Sequence, residues 1–185
     1  MEELFEKILD KDEKIVKVFK PHKGKFFCSV LLSWGLCLFM FAFIGSLAIL
    51  FPDEGYEVKP ILLLIPIGFW VASELLVVLF ASIYYRNLYY AYSNKRIIIR
   101  SGVFGVDFRS LDMSMIGAVN VYVSLLDKII KKDTGSIMFG STASPIGYQS
   151  SGSIYKFNNI QLPYETCKEV KSYIDEYKQK INSKN

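Results

Sequence analysis

The chain is 185 residues long, with 51% hydrophobic and 15% aromatic residues and a formal charge of +4, about one domain's worth of polypeptide. A mean hydropathy of +0.26 is too apolar for an average soluble domain and points to a membrane protein. The modest, scattered positive charge excludes an electrostatic nucleic-acid binder. The three cysteines, Cys28, Cys37 and Cys167, have neither metal-ligand nor CxxC spacing, which excludes a disulfide framework and suits a reducing compartment.

Residues 1–25 read as a cytoplasmic juxtamembrane segment. Leu4, Phe5, Ile8 and Leu9 share one helical face, and Ile15, Val16, Val18 and Phe19 form a strand-like run. Such a segment either lies on the membrane interface or packs on a folded domain.

From Phe26 to Phe51 no residue is charged, a run longer than the roughly 20 residues a helix needs to cross a bilayer core. At about 1.5 Å per residue it would measure roughly 39 Å, so tilt or an interfacial first turn absorbs the excess over a core of about 30 Å. The length of the run and the second one that follows it argue against a cleaved signal peptide. That second run, Pro60 to Tyr85, carries one charge, Glu74. The polar turn 52–59 between the runs is too short for anything but an antiparallel helical hairpin. Pro60 suits a first helical turn, whereas Pro66 is expected inside the helix, bending it. Transmembrane segments are thus predicted at 26–51 and 60–85, within a membrane hairpin over 26–85.

Basic residues set the orientation. Lys14, Lys17, Lys20, Lys23 and Lys25 precede the first run, Arg86, Lys95, Arg96 and Arg100 follow the second, and the turn holds only Lys59. Both termini are therefore predicted to be cytoplasmic, in a multi-pass protein of the plasma membrane. Glu74 falls mid-segment, where a charge costs at least about 2.5 kcal/mol. It reads either as part of a proton or ion pathway or as a protonated carboxyl facing the hairpin or a partner subunit and bonded to Ser73 or to a serine of the first helix, with Gly35 and Cys37 at similar depth allowing close approach.

Past Asn87 the pattern changes to short strands. NLYYAYS, the turn SNK and the β-branched run RIIIRSG predict a hairpin. VDFRSLD alternates, and in AVNVYVS the residues Val119, Val121 and Val123 share one face while Asn120 and Tyr122 share the other. SIMFG and SIYKFNN supply further strands around STASPIGYQSSG, a glycine- and serine-rich loop expected to be mobile. In LPYETCKEVKSYIDEYKQKIN, the residues Tyr164, Cys167, Val170, Ile174, Tyr177 and Ile181 form one helical stripe, with Pro163 in the first turn. Short antiparallel strands finished by an amphipathic helix predict a small barrel or sandwich with the helix capping an open end. The fold class is accordingly an α+β membrane protein, with a cytoplasmic domain over 86–185.

The order of these parts resembles the bacterial pleckstrin-homology-like membrane proteins, in which a two-helix hairpin precedes a small cytoplasmic domain. The carrying stretches are EKIVKVFKPH, YAYSNKRIIIRSGVFG, the valine strand with SLLDKIIKKDTGSIMFG, and NNIQLPYETCKEVKSYI. The charged KKDTG, Lys131 to Gly135, departs from the smaller, glycine-rich turn expected there. The resemblance implies a pleckstrin-homology-like barrel with a C-terminal helix and no established catalytic activity.

Residue chemistry agrees with that implication. The single histidine, His22, lies between Lys20 and Lys23, so a nucleophilic triad lacks its base. No phosphate-binding glycine loop and no Cys/His cluster is present in the sequence. A non-enzymatic protein without cofactor or metal is expected. Lys95, Arg96, Arg100 and Arg109 beside the first hairpin, with Lys128, Lys131 and Lys132 after the valine strand, form the candidate surface for anionic lipid or a partner, since each basic residue near a negative leaflet contributes about 1 kcal/mol. The predicted role is a membrane-held interaction module binding a protein, a second copy of itself or anionic lipid. The alternative is a transport or envelope-stress component in which Glu74 participates.

Overall fold

In the computed structural model, residues 2–51, 60–130, 133–141 and 155–183 are described. The predicted 52–59 turn and most of the STASPIGYQSSG loop lie outside them. The chain divides into two units, Phe26–Tyr85 and a second built from Met1–Lys25 together with Arg86–Asn185.

The two apolar runs form α1 (Lys23–Leu50) and α2 (Leu64–Asn87), the latter preceded by a 3-10 turn at Pro60–Leu63. Both helices are long and apolar enough to cross a membrane by length and composition. Their contacts run in opposite directions: Phe26 stacks on Tyr84, Phe39 meets Trp70 edge-on at 5.9 Å, and Gly45 lies beside Pro66. Pro66 does not interrupt a helix, contrary to expectation. It falls in the first turn of α2, where the chain passes from 3-10 to α geometry and a proline removes no α-helical hydrogen bond.

In the other unit, β1 (Ile15–Phe19), β2 (Tyr89–Ser93), β3 (Arg96–Ser101) and β4 (Asp107–Asp112) form an antiparallel sheet in chain order. A second antiparallel sheet is made of β5 (Ile116–Tyr122), β6 (Thr134–Ser141) and β7 (Tyr155–Gln161), also in order. Between β5 and β6 stands a short helix, α3 (Leu125–Ile130), and the chain closes with α4 (Pro163–Asn182). The first 25 residues are not a separate segment: β1 pairs with β2, because an apolar β-branched run beside an open sheet edge satisfies both its backbone and its side chains there.

This pairing explains why Ile97, Ile98 and Ile99 are all buried instead of alternating. Successive strand residues point to opposite faces, so a continuous apolar run requires cover on both. On one face Ile98 and Ala91 pack with the fully buried Phe5, which also meets Phe108 edge-on at 6.3 Å. The expected N-terminal helical face is two 3-10 turns, Glu2–Leu4 and Glu6–Ile8, around Phe5. Elsewhere in the core Tyr90 stacks on Phe157 at 4.8 Å, and Phe139 closes on Phe157 at 4.9 Å.

α4 buries Pro163, Thr166, Val170 and Ile174. Of the predicted stripe, Val170 and Ile174 are therefore buried, while Tyr164 and Ile181 are exposed. The tight corner before the helix, with Leu162 at a φ of 48°, directs Pro163 and Thr166 inward in place of Tyr164. Glu169 anchors the helix, accepting from Tyr92 Oη at 3.0 Å and from Lys17 Nζ at 2.6 Å.

Candidate functional site

Among the described residues the candidate cations do not form one cluster. Lys95 and Arg96 stand at the β2–β3 turn, whereas Arg100 faces Tyr89 at the opposite end of both strands, next to Asn87 at the end of α2. At about 3.3 Å per strand residue, four residues separate Arg96 from Arg100 by roughly 13 Å. Arg109 is exposed on β4 opposite Ile99, and Lys128 is exposed on α3. Lys131 and Lys132 lie outside the described residues.

Arg96 is engaged structurally. Its guanidinium donates to both carboxylate oxygens of Glu13, at 3.0 and 2.7 Å, and to the Ile8 carbonyl at 2.6 Å. The Glu13 side chain has no exposed area. Burial alone would raise the Glu13 carboxyl, but hydrogen bonds from Arg96, Ser93 and the Asp10 N–H outweigh it and hold the group below its ordinary value. Asn94 completes the clasp by accepting from the Lys14 N–H and donating to the Asp12 carbonyl. Lys95 approaches Asp10 at 3.6 Å on the surface, a contact of little energetic weight.

At the other end of the sheet, Lys20 Nζ donates to Tyr89 Oη at 3.0 Å and lies over the same ring. Arg100 also approaches that ring, and it donates to the Asn87 carbonyl at 3.3 Å. Asn87 Nδ2 in turn donates to the Gly102 carbonyl at 3.1 Å. Gly102 has a φ of 139°, and a Cβ there would stand 2.1 Å from the Gly105 carbonyl oxygen, so this tight β3–β4 loop requires glycine.

A third arrangement was invisible in the sequence, where Lys25 counted only as a charge beside the membrane. Lys25 Nζ, almost wholly buried, pairs with Asp127 at 3.0 Å and donates to Ser124 Oγ at 3.2 Å. Asp127 also accepts from the Ser124 N–H and hydroxyl and from Thr134 Oγ1. Burial pushes the Asp127 carboxyl upward, but those hydrogen bonds prevail and hold it below the usual aspartate value. Burial also lowers the Lys156 ammonium, with the charge of Asp127 acting in the opposite direction. Ser124 and Asp127 are close in sequence, but nothing in their spacing pointed to a partner nearly 100 residues earlier.

Within the helical unit, Glu74 packs against Gly35, where a Cβ would come within 2.8 Å of Glu74 Oε1. Both carboxylate oxygens are buried and have no hydrogen-bond partner among the described residues. The anticipated bond to Ser73 is absent because that hydroxyl donates to the Phe69 carbonyl of its own helix. Ser29 and Ser46 of α1 likewise bond to carbonyls in their own helix. Among the described residues no group of three or more His, Cys, Asp or Glu side chains could hold a metal ion.

No curated protein and no solved structure matches the chain. A family model described as "Bacterial PH domain" matches residues 38–180, from the middle of α1 almost to the end of α4. Two long apolar helices followed by antiparallel sheets and a C-terminal helix fit a pleckstrin-homology-like fold, and with more than half of its length matched the chain belongs to the bacterial PH domain family.

Proposed function

We propose that this protein is a membrane-anchored, non-catalytic interaction module of the plasma membrane. α1 and α2 span the bilayer as a hairpin, and the pleckstrin-homology-like unit on the cytoplasmic side engages a protein partner or the anionic membrane surface. The observation that carries this reading is the distribution of basic residues, abundant before α1 and after α2 and reduced to Lys59 between them. The family supports an interaction module.

Single cysteines test the topology in a chain whose three native cysteines have been replaced. A membrane-impermeant maleimide is expected to label Gly55→Cys in intact cells and Ser183→Cys only after permeabilisation. Labelling of Ser183→Cys in intact cells overturns the orientation.

Glu74 favours a second reading, a transport or envelope-stress component, because its two oxygens are buried without a partner. Proton or cation flux through proteoliposomes of the full chain that disappears in Glu74→Gln would support it. Absence of flux with the unaltered chain would remove it.

A further inference from the structure

Within the unit built from both ends of the chain, the three most exposed large hydrophobic side chains among the described residues are Phe104 at 93%, Leu125 at 77% and Ile129 at 72%. They sit on two segments far apart in sequence, and each segment is tied to a residue at the root of an apolar helix. The loop carrying Phe104 is held through the Gly102 carbonyl to Asn87, the last residue of α2. α3, with Leu125 and Ile129 one turn apart on a single face, is held through Ser124 and Asp127 to Lys25, in the first turn of α1.

Cations accompany these side chains. Lys20 and Arg100 flank Tyr89 beside Asn87, Arg86 is exposed one residue earlier, and Lys128 is exposed on α3. The exposed acids of the same segments are Asp107 and Asp133. Large apolar side chains projecting from a basic rim match the boundary between anionic headgroups and acyl chains, where apolar groups are buried and cations remain among the phosphates.

We propose that the Val103–Val106 loop and α3 together form a bilayer-docking rim, with Phe104, Leu125 and Ile129 inserted at the interface of an anionic leaflet and Arg86, Arg100 and Lys128 among its headgroups. The occupant is the membrane that receives α1 and α2, so the inference rests on the membrane-spanning reading above. It moves the lipid contact away from Lys95 and Arg96, which stand at the far end of the sheet.

The test uses the full chain, with native cysteines replaced, in vesicles of phosphatidylcholine alone or with added phosphatidylglycerol. An environment-sensitive fluorophore is attached at Phe104→Cys, Leu125→Cys or Ile129→Cys, with Lys180→Cys as a surface control and Leu47→Cys as a membrane control. Because the three rim positions are solvent-exposed, labelling there leaves the core intact, as an unchanged thermal midpoint in detergent would verify. Nitroxides placed high on the acyl chain are expected to quench the rim fluorophores several-fold more than the Lys180 control, with stronger quenching when phosphatidylglycerol is present. Rim fluorophores that are quenched by aqueous iodide and not by lipid nitroxides overturn the proposal, provided the Leu47 position is quenched by deep nitroxides. If the Leu47 position is not quenched either, the membrane-spanning reading itself has failed. Concentration-dependent shielding of the rim from both quenchers identifies a second copy as the occupant and overturns a bilayer site. Equal lipid quenching with and without phosphatidylglycerol overturns the role assigned to the cations.

Discussion

Asp127→Ala is expected to destabilise the unit built from both ends of the chain by about 3–5 kcal/mol, the range for breaking one side of a buried ion pair. The substitution leaves the Lys25 ammonium buried with only Ser124 Oγ beside it and also strands the Thr134 hydroxyl. Lys25→Met is expected to cost less, because Asp127 retains the Ser124 N–H, the Ser124 hydroxyl and Thr134. The double variant Lys25→Met/Asp127→Leu removes both charges and is expected to recover most of the loss, since apolar replacement of a whole buried pair is often neutral. Thermal unfolding of the full chain in detergent measures all three. A double variant no more stable than Asp127→Ala would show that the pair does not carry the effect.

The same site predicts a dependence on pH. The Asp127 carboxyl is held below its ordinary value of 3.8 in the folded protein, and Glu13 below 4.5. A depressed carboxyl contributes stability that is present above the unfolded value and is lost as pH falls through the folded one. The thermal midpoint should therefore begin to fall as pH drops below about 4.5, through Glu13 and Glu169, and fall further below about 3.8, through Asp127. The Asp127→Ala variant should lose the part due to Asp127 and keep the part due to Glu13 and to Glu169, which Lys17 and Tyr92 also hold below its ordinary value. An identical acid profile in variant and parent would contradict this assignment.

Arg96→Ala is the second large effect, again about 3–5 kcal/mol because it leaves the wholly buried Glu13 side chain without its cation. The consequence is local as well as global. Glu13 and Arg96 hold the N-terminal segment across the β2–β3 hairpin, and Phe5 fills one face of the sheet from that segment. Limited proteolysis of Arg96→Ala is therefore expected to cut within residues 2–14 faster than in the unaltered chain. Arg96→Lys should rescue only part of the stability, because an ammonium cannot reproduce the two-pronged contact or also reach the Ile8 carbonyl. Full rescue by lysine would show that charge alone suffices there.

Periodicity and the absence of charge were enough to locate the long helices, the β2–β3 hairpin, the alternating strand β5 and the C-terminal helix. These are local properties: a charge-free run of more than 20 residues or a period of two has few structural solutions. α3 was missed because a helix of six residues is too short to show a helical period in the sequence. The stripe of α4 was displaced at its start because the left-handed corner at Leu162 sets which residues of the first turn face inward.

The candidate basic surface was read from proximity along the chain, and that is where the tertiary structure decided differently. Lys95, Arg96 and Arg100 lie within six residues, but an extended strand carries its two ends to opposite ends of a sheet. Arg96 is occupied by Glu13, 83 residues earlier, and Lys25 by Asp127, 102 residues later. Composition, charge pattern and local period thus determined the class of protein and most of its elements. Which cations are buried, which edge the N-terminal strand covers and which apolar side chains remain outside were decided only by folding, because hydrogen-bond partners and packing neighbours depend on distance in space and leave no periodic trace along the chain.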